Sequence, residues 1–547
     1  MQARPTTVNR IVIVIILLLL ALLIGGLVTY RSAAQAVRDD YFMAHEIILV
    51  GTTTNLDALI QELQTIDPNI QLTLDPTRSF SLQTLQQSAQ QSLGPQTIVS
   101  AALQVGSGDS ACTQLSAELE INLYQLTGST DDVEAVLDAI DQTTAGSNVL
   151  TDANWVIGEP WHPTGSPWHP TGSPWHPTGS GEDQSQPTPA SLSDYENQWA
   201  FSKIGLAAAQ AVNTDDTLFP VRIGVFDTSP LESDGIVAES VEEKPADNDL
   251  GIQIDHPEFI ETPVPPKPGS PQDIDVANHG YFNSGFIREL TPSSEIELIR
   301  VLTKNNRGDL ATLNHALLTF MGDANADGIN AVANLSLGVP PLEPFKPFAP
   351  WFDWEFPVPF KIQRQFDSLQ TVAQIGECLD VVLVAAAGND SAESLQVSNY
   401  PANWGTVLGV TASNQANEQS CFANNGDVAA PGGDGRSPED PSNVCEPRLN
   451  LCTDGNCAYS VVGYVHPKTI ATGATATTYQ HWVGTSFATP MVSGLAALLR
   501  QIDPSLSAAE VREAIRCGAT KPTTPQQVPV INVAQTLRCA EDLSNVE

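Results

Sequence analysis

Five short apolar runs, set between helical stretches, constrain the second half of this chain more than anything else in it. VRIGVFD (221–227), IELIRVL (296–302), AVANLSLG (331–338), DVVLVAAAGN (380–389) and TVLGVTAS (406–413) read as strands apolar on both faces. HALLTFMGDA (315–324) and FATPMVSGLAALLRQI (487–502) have helical character. Strands this apolar need cover on both sides, and strand–helix alternation supplies it. The expected fold is therefore α/β, a parallel sheet with helices on both faces. In such sheets the functional groups collect beyond the carboxyl ends of the strands.

Those ends carry reactive side chains. Asp227 closes the first run, Asn389 follows another, and Ser486 lies in GTSFATP just ahead of the long apolar helix. His279 sits in NHGYFNSGFI, where Gly280 permits close backbone approach. A hydroxyl, a base, an acid to orient the base and a carboxamide donor are what nucleophilic acyl transfer requires. Singly, each has a plainer explanation: Ser as a helix cap, His as a packed core residue, Asp as a turn residue.

GTSFATPMVSGLAALL, VVLVAAAGN, ANLSLG, YPANWGTVLGVTAS and DVAAPGG together resemble the subtilisin-like serine peptidases, with QWAFSKIGLAAAQAV similar to the entry of their mature domain. The resemblance covers roughly residues 194–535. It implies Ser486 as nucleophile, His279 as general base, Asp227 as its orienting acid, and Asn389 with the Ser486 N–H as oxyanion donors. It also implies that Ser336, Leu337 and Gly338 run along the substrate backbone, with Ala386, Ala387 and Gly388 lining the pocket before the scissile bond. The expected product is a serine endopeptidase acting on polypeptides through an acyl-enzyme. The alternative is a catalytically silent binding protein on the same fold.

The chain departs from the family pattern in three places. Asp227-Thr228-Ser229 replaces D-T/S-G and precedes a long acidic insertion; the histidine motif keeps only His279, Gly280 and Gly285; and the segment after GFIREL is short where relatives carry a calcium loop. His256, in HPE, is a rival base that resembles a structural segment of the family. No cofactor is required for the chemistry. A separate calcium reading rests on Asp323, Asn325 and Asp327, which open an EF-hand-like loop lacking its twelfth-position Glu; an acidic turn is the competing reading.

Ahead of this region, residues 41–157 read as a small α+β unit with two strand–helix–strand passes, a split βαβ sandwich. Asn55 is placed to cap its first helix, TNLDALIQELQTI. By position and element order the unit is similar to the family's inhibitory prosegment, so the chain's own N-terminus is an expected partner. Residues 158–193 hold three PWHPTGS repeats and read as a Pro-stiffened tether, and 194–547 as the catalytic domain. Residues 11–29 are an uncharged apolar run long enough for a bilayer core of about 30 Å. They read as a transmembrane anchor or an uncleaved signal, with Ala34-Gln35-Ala36 as a cleavage alternative. The expected location is outside the cytoplasm, anchored, or secreted after processing.

Cysteine placement agrees with export. Cys421–Cys457 is a stretch a disulfide could staple, Cys517 with Cys539 would close a short loop, and Cys378 reads as a free core thiol. Acidic residues number 63 against 24 Lys and Arg, a formal charge of −39 that repels phosphate backbones and makes nucleic acid a poor partner.

Overall fold

A computed structural model of the chain describes residues 42–83, 118–158, 188–214, 217–230, 250, 252–255, 276–303, 306–339, 366–391, 395–434, 445, 459–466 and 479–544. The apolar run 11–29, the repeats, His256 and Cys112, Cys452 and Cys457 lie outside these residues. Among the described residues no helix is long and apolar enough to cross a membrane.

The first unit runs β1 (Phe42–Thr52), α1 (Thr53–Ile66), β2 (Leu72–Ser81), β3 (Leu119–Leu126), α2 (Val133–Ile140), β4 (Leu150–Gly158). Its strands lie in the order β2-β3-β1-β4, each neighbour antiparallel. The central strands are buried on both faces, with Ile47, Ile48, Leu49 and Val50 all at 2% exposure or less, and α1 and α2 add Leu56, Leu59, Leu63, Val136 and Ile140 to the same core. Helix α1 is not capped by Asn55. Thr52 is the cap, its hydroxyl accepting from the Asn55 N–H at 3.3 Å. The β-branched Thr holds the extended backbone that a cap position needs, one turn earlier than the helical pattern indicates.

The second unit opens with β5 (Thr188–Ala190), α3 (Leu192–Glu196), α4 (Trp199–Ile204) and α5 (Leu206–Val212). It continues with β6 (Val221–Asp227), β7 (Gln253–Asp255), α6 (His279–Leu290), β8 (Glu295–Arg300), β9 (Arg307–Asp309), α7 (Leu310–Asp327) and β10 (Asn330–Leu335). There follow α8 (Asp367–Cys378), β11 (Val382–Ala386), β12 (Val407–Ser413), β13 (Val428–Pro431), β14 (Val461–Tyr464), β15 (Tyr479–Trp482), α9 (Thr485–Ile502), α10 (Ala508–Gly518) and α11 (Val533–Ser544). Seven strands form one all-parallel sheet, in the order β13-β12-β11-β10-β6-β8-β7. Helices α6, α9, α10 and α11 share the core on one face; α7 and α8 share that on the other. This is the α/β architecture expected. A small antiparallel sheet, β14-β15-β5, was not foreshadowed by any alternating run.

The two units share a core, in which Trp155 meets Phe366 edge-on with ring centroids 5.8 Å apart. Strand β4 pairs antiparallel with β9, Ile157 opposite Gly308. The first unit also supplies helix caps to the second. Asp152 accepts from the N–H groups of Asp367 (3.2 Å) and Ser368 (2.7 Å) at the start of α8. Asn154 Oδ1 accepts from Ala311 N at the start of α7 (2.9 Å), beside the α7 cap Asp309. Arg78 lies between Glu46 (2.9 Å) and Asp75 (3.1 Å) and within 3.6 Å of Asp309.

Asp152 is only 3% exposed, and burial pushes its pKa up to about 6 despite the Ser368 and Asp367 donors; the charge of Asp367 adds to the rise. An acid whose folded pKa exceeds its ordinary 3.8 withdraws stability as it ionises, so its contribution falls as pH rises from 3.8 to about 6. By linkage the swing is about 3 kcal/mol. Asp152→Asn is expected to flatten that part of the profile in denaturant unfolding. His315, whose pKa burial lowers, has the opposite slope but is present in both proteins and cancels in the comparison. Parallel profiles for the two proteins would contradict the assignment.

Disulfides join Cys421 to Cys445 and Cys517 to Cys539. Cys378 is not the free thiol expected: it is disulfide-bonded, and none of the described cysteines is free. Cys378 closes the last turn of α8 and is 6% exposed, so an apolar, buried setting does not by itself mark a free thiol.

Candidate active site

Because β6, β10 and β11 are parallel neighbours, their carboxyl ends lie side by side at one edge of the sheet. Asp227 is the last residue of β6, Ser336-Leu337-Gly338 continues from β10, and Ala387-Gly388-Asn389 continues from β11. His279 begins α6 and Ser486 is the second residue of α9. All are essentially buried, from 0% exposed for Asp227 to 4% for His279.

Asp227 Oδ1 lies 2.7 Å from His279 Nδ1, and its second oxygen accepts from Asn283 Nδ2 at 2.9 Å. Thr228 N also donates to Oδ1. The carboxylate is thereby held on both oxygens, with no room to turn away from the imidazole. Gly280 makes the approach possible: a Cβ there would stand 2.5 Å from Thr228 O and 2.8 Å from Asp227 Cβ. The Thr228 hydroxyl donates to Val276 O at 2.8 Å, fixing the loop that enters α6. The imidazole packs against Phe487 (5.1 Å) and Trp482 (5.5 Å), placing it beside the residue that follows Ser486.

The Ser486 hydroxyl donates to Ser336 O at 3.2 Å rather than to His279. Pro490 has no N–H, so the Ser486 carbonyl four residues earlier loses its helical donor. The Ser336 hydroxyl donates to that carbonyl instead, at 2.8 Å. The two serines form a reciprocal clasp between the end of β10 and the start of α9.

Asn389 Oδ1 accepts from Thr485 N (3.0 Å) and the Thr485 hydroxyl (3.1 Å), tying its carboxamide to the turn that bears Ser486. Its Nδ2 is buried and has no partner among the described residues. Buried amide donors are almost always paired, so this atom stands out. Gly388 has φ +107°, and a Cβ there would lie 2.4 Å from Asn399 Nδ2 and 2.5 Å from Asn424 Nδ2. Ala386 and Ala387 are fully buried beside it, and Ala387 O accepts from Asn399 N. Gly338 faces the same Asn399.

Asp323, Asn325 and Asp327 occupy the last turns of α7, which ends at Gly328 in the left-handed conformation. On a helix, residues two apart do not face one another. Asp327 bonds Arg222 at 2.9 Å. The acidic spacing is that of a helix end, and among the described residues no group of three His, Cys, Asp or Glu could hold a metal.

Two features escaped the sequence. Asn283 sits one turn after His279, a spacing that would have been informative had 279–290 been read as a helix. Strand β9 is three residues long, carries no pattern, and is visible only through its pairing with β4.

Residues 275–531, a little under half of the chain, match the model of the subtilase family, so this part of the chain is similar to the subtilisin-like serine endopeptidases. Among curated relatives, Subtilisin BL of Lederbergia lenta is 28% identical over 265 residues, 46% of this chain and 74% of the relative. M-protease of Shouchella clausii is 28% identical over the same share of this chain but 52% of its own length. Subtilisin of Bacillus pumilus is 26% identical over 55% of this chain and 91% of its own.

Proposed function

We propose that the chain is an exported, self-processing serine endopeptidase in which Ser486, His279 and Asp227 form the catalytic triad. A turn of the Ser486 side chain carries its hydroxyl from Ser336 O to His279. The imidazole takes the hydroxyl proton as the oxygen attacks the scissile carbonyl, and Asp227 holds Nδ1–H and stabilises the imidazolium. The carbonyl electrons move onto oxygen, which Asn389 Nδ2 and the Ser486 N–H stabilise. The imidazolium then protonates the leaving amine as the tetrahedral intermediate collapses to the acyl-enzyme, and water repeats the sequence. The observation that carries this proposal is the buried, unpartnered Nδ2 of Asn389, a donor fixed to the nucleophile's own turn.

The first unit reads as the prosegment. Its strand order is that of a split βαβ sandwich, its β4 lies along β9, and its Asp152 and Asn154 begin two helices of the second unit. Once it leaves, the β9 edge is open to pair with an extended substrate backbone. Cleavage within Pro160–Ser191 would separate the catalytic part from an anchor at residues 11–29.

Labelling with a fluorophosphonate tests the chemistry: wild type reacts at Ser486, and Ser486→Ala does not. The same pair tests processing. Wild type is expected to yield a soluble fragment, whereas Ser486→Ala remains full length and membrane-associated. A chain that labels but fractionates identically in both forms keeps the triad and loses the processing proposal.

A further inference from the structure

Helix α6 has work at both ends. His279 begins it; Glu289, next to last, lies about 15 Å away at the helical rise per residue. There a cavity of about 510 Å³ opens between α3, α4, α5 and α6, walled by Tyr195, Phe201 and Tyr464 and floored in part by Leu206. Glu289 and Glu196 contribute the charge, and no basic side chain is among the described residues lining it.

Glu289 is oddly placed. It is half-buried, and burial raises its pKa, opposed only by the Tyr195 hydroxyl donating to Oε1 at 2.8 Å. It also stands in the last turn of a helix, where the macrodipole disfavours negative charge. No cation bonds it among the described residues, although Arg288 beside it is engaged with the carbonyls of Leu250, Pro292 and Ser294. Aromatic rings around it add a further preference for positive charge: Tyr195 packs edge-on against Phe201 at 5.4 Å and at 65° to Tyr464 at 4.8 Å.

We propose that this cavity is a binding site for an alkylammonium group, held by Glu289 and the rings of Tyr195, Phe201 and Tyr464. One oxygen of Glu289 already accepts from Tyr195, so the other is the less crowded partner, which favours a compact ammonium over a bidentate planar guanidinium. A compact ammonium needs only the remaining one. The site is separate from the triad and belongs to the opposite end of the histidine-bearing helix. The ammonium has two possible sources, a free amine or a lysine side chain of a partner protein.

The test uses the full chain carrying Ser486→Ala, so that no probe is cleaved. Isothermal titration with n-butylammonium chloride is expected to give saturable binding in the millimolar range against a sodium chloride control of equal ionic strength. Glu289→Gln, which keeps an oxygen for Tyr195, is expected to weaken it at least about tenfold. 1-Pentanol, the uncharged analogue of similar shape, is expected not to bind the unsubstituted cavity; this measurement stands even if Glu289→Gln fails to fold. A blocked Gly-Lys-Gly peptide binding more tightly than the amine identifies a protein lysine as the source, and equal or weaker binding identifies a free amine. Absence of saturable amine binding, equal affinity in Glu289→Gln, or equal binding of 1-pentanol each overturns the proposal.

Discussion

Asp227→Asn is expected to lower kcat on a peptide anilide by about 10⁴-fold, the scale seen when a buried triad aspartate is amidated. Geometry gives the reason. Both Asp227 oxygens accept, one from His279 and one from Asn283. An amide has one acceptor and one donor. With its NH₂ toward Asn283 it meets another donor. Turned toward His279, it forces the imidazole into the tautomer protonated at Nε2, which cannot take the Ser486 proton. Burial at 0% leaves no water to absorb the mismatch. A loss smaller than about tenfold would remove Asp227 from the triad.

Asn389→Leu is expected to reduce kcat by about 10²–10³-fold with KM little changed, because the donor acts on charge that develops only in the transition state. The substitution also strands Thr485 N and its hydroxyl, which Asn389 Oδ1 accepts from. An unsatisfied buried donor costs about 1–3 kcal/mol, so the melting temperature falls too. Asn389→Asp separates the effects. It keeps the acceptor for Thr485 and presents a negative charge to the oxyanion, so it should retain more stability than the Leu variant while losing as much activity. A rise in KM at constant kcat would place Asn389 in substrate binding instead.

What was legible in the sequence follows from burial. β6, β10, β11 and β12 are covered on both faces, so they are continuous apolar runs, and the polar residues at their ends stand out. Helix α6 was hidden for the opposite reason. HGYFNSGFIREL contains two glycines and an asparagine, poor helix formers, and it is buried nearly all round, which erases amphipathic spacing. Packing against α9 and β6 makes it a helix, and only as a helix does it bring Asn283 back onto Asp227. Cys378 was misjudged because an apolar neighbourhood says nothing about what lies in reach of the sulfur. The Ser336–Ser486 clasp was signalled by Pro490, whose missing N–H announces a carbonyl in need of a donor, but the identity of that donor is a matter of contacts 150 residues apart.

The caps that Asp152 and Asn154 give to α8 and α7 bind the two units into one cooperative body. Neither helix start is fully satisfied without a side chain from the other unit, so heating should melt the pair in a single transition. Cutting the tether then changes the order of the reaction rather than its contacts: separation becomes bimolecular in reverse, and dilution, rather than hydrolysis alone, governs how much of the domain stands free.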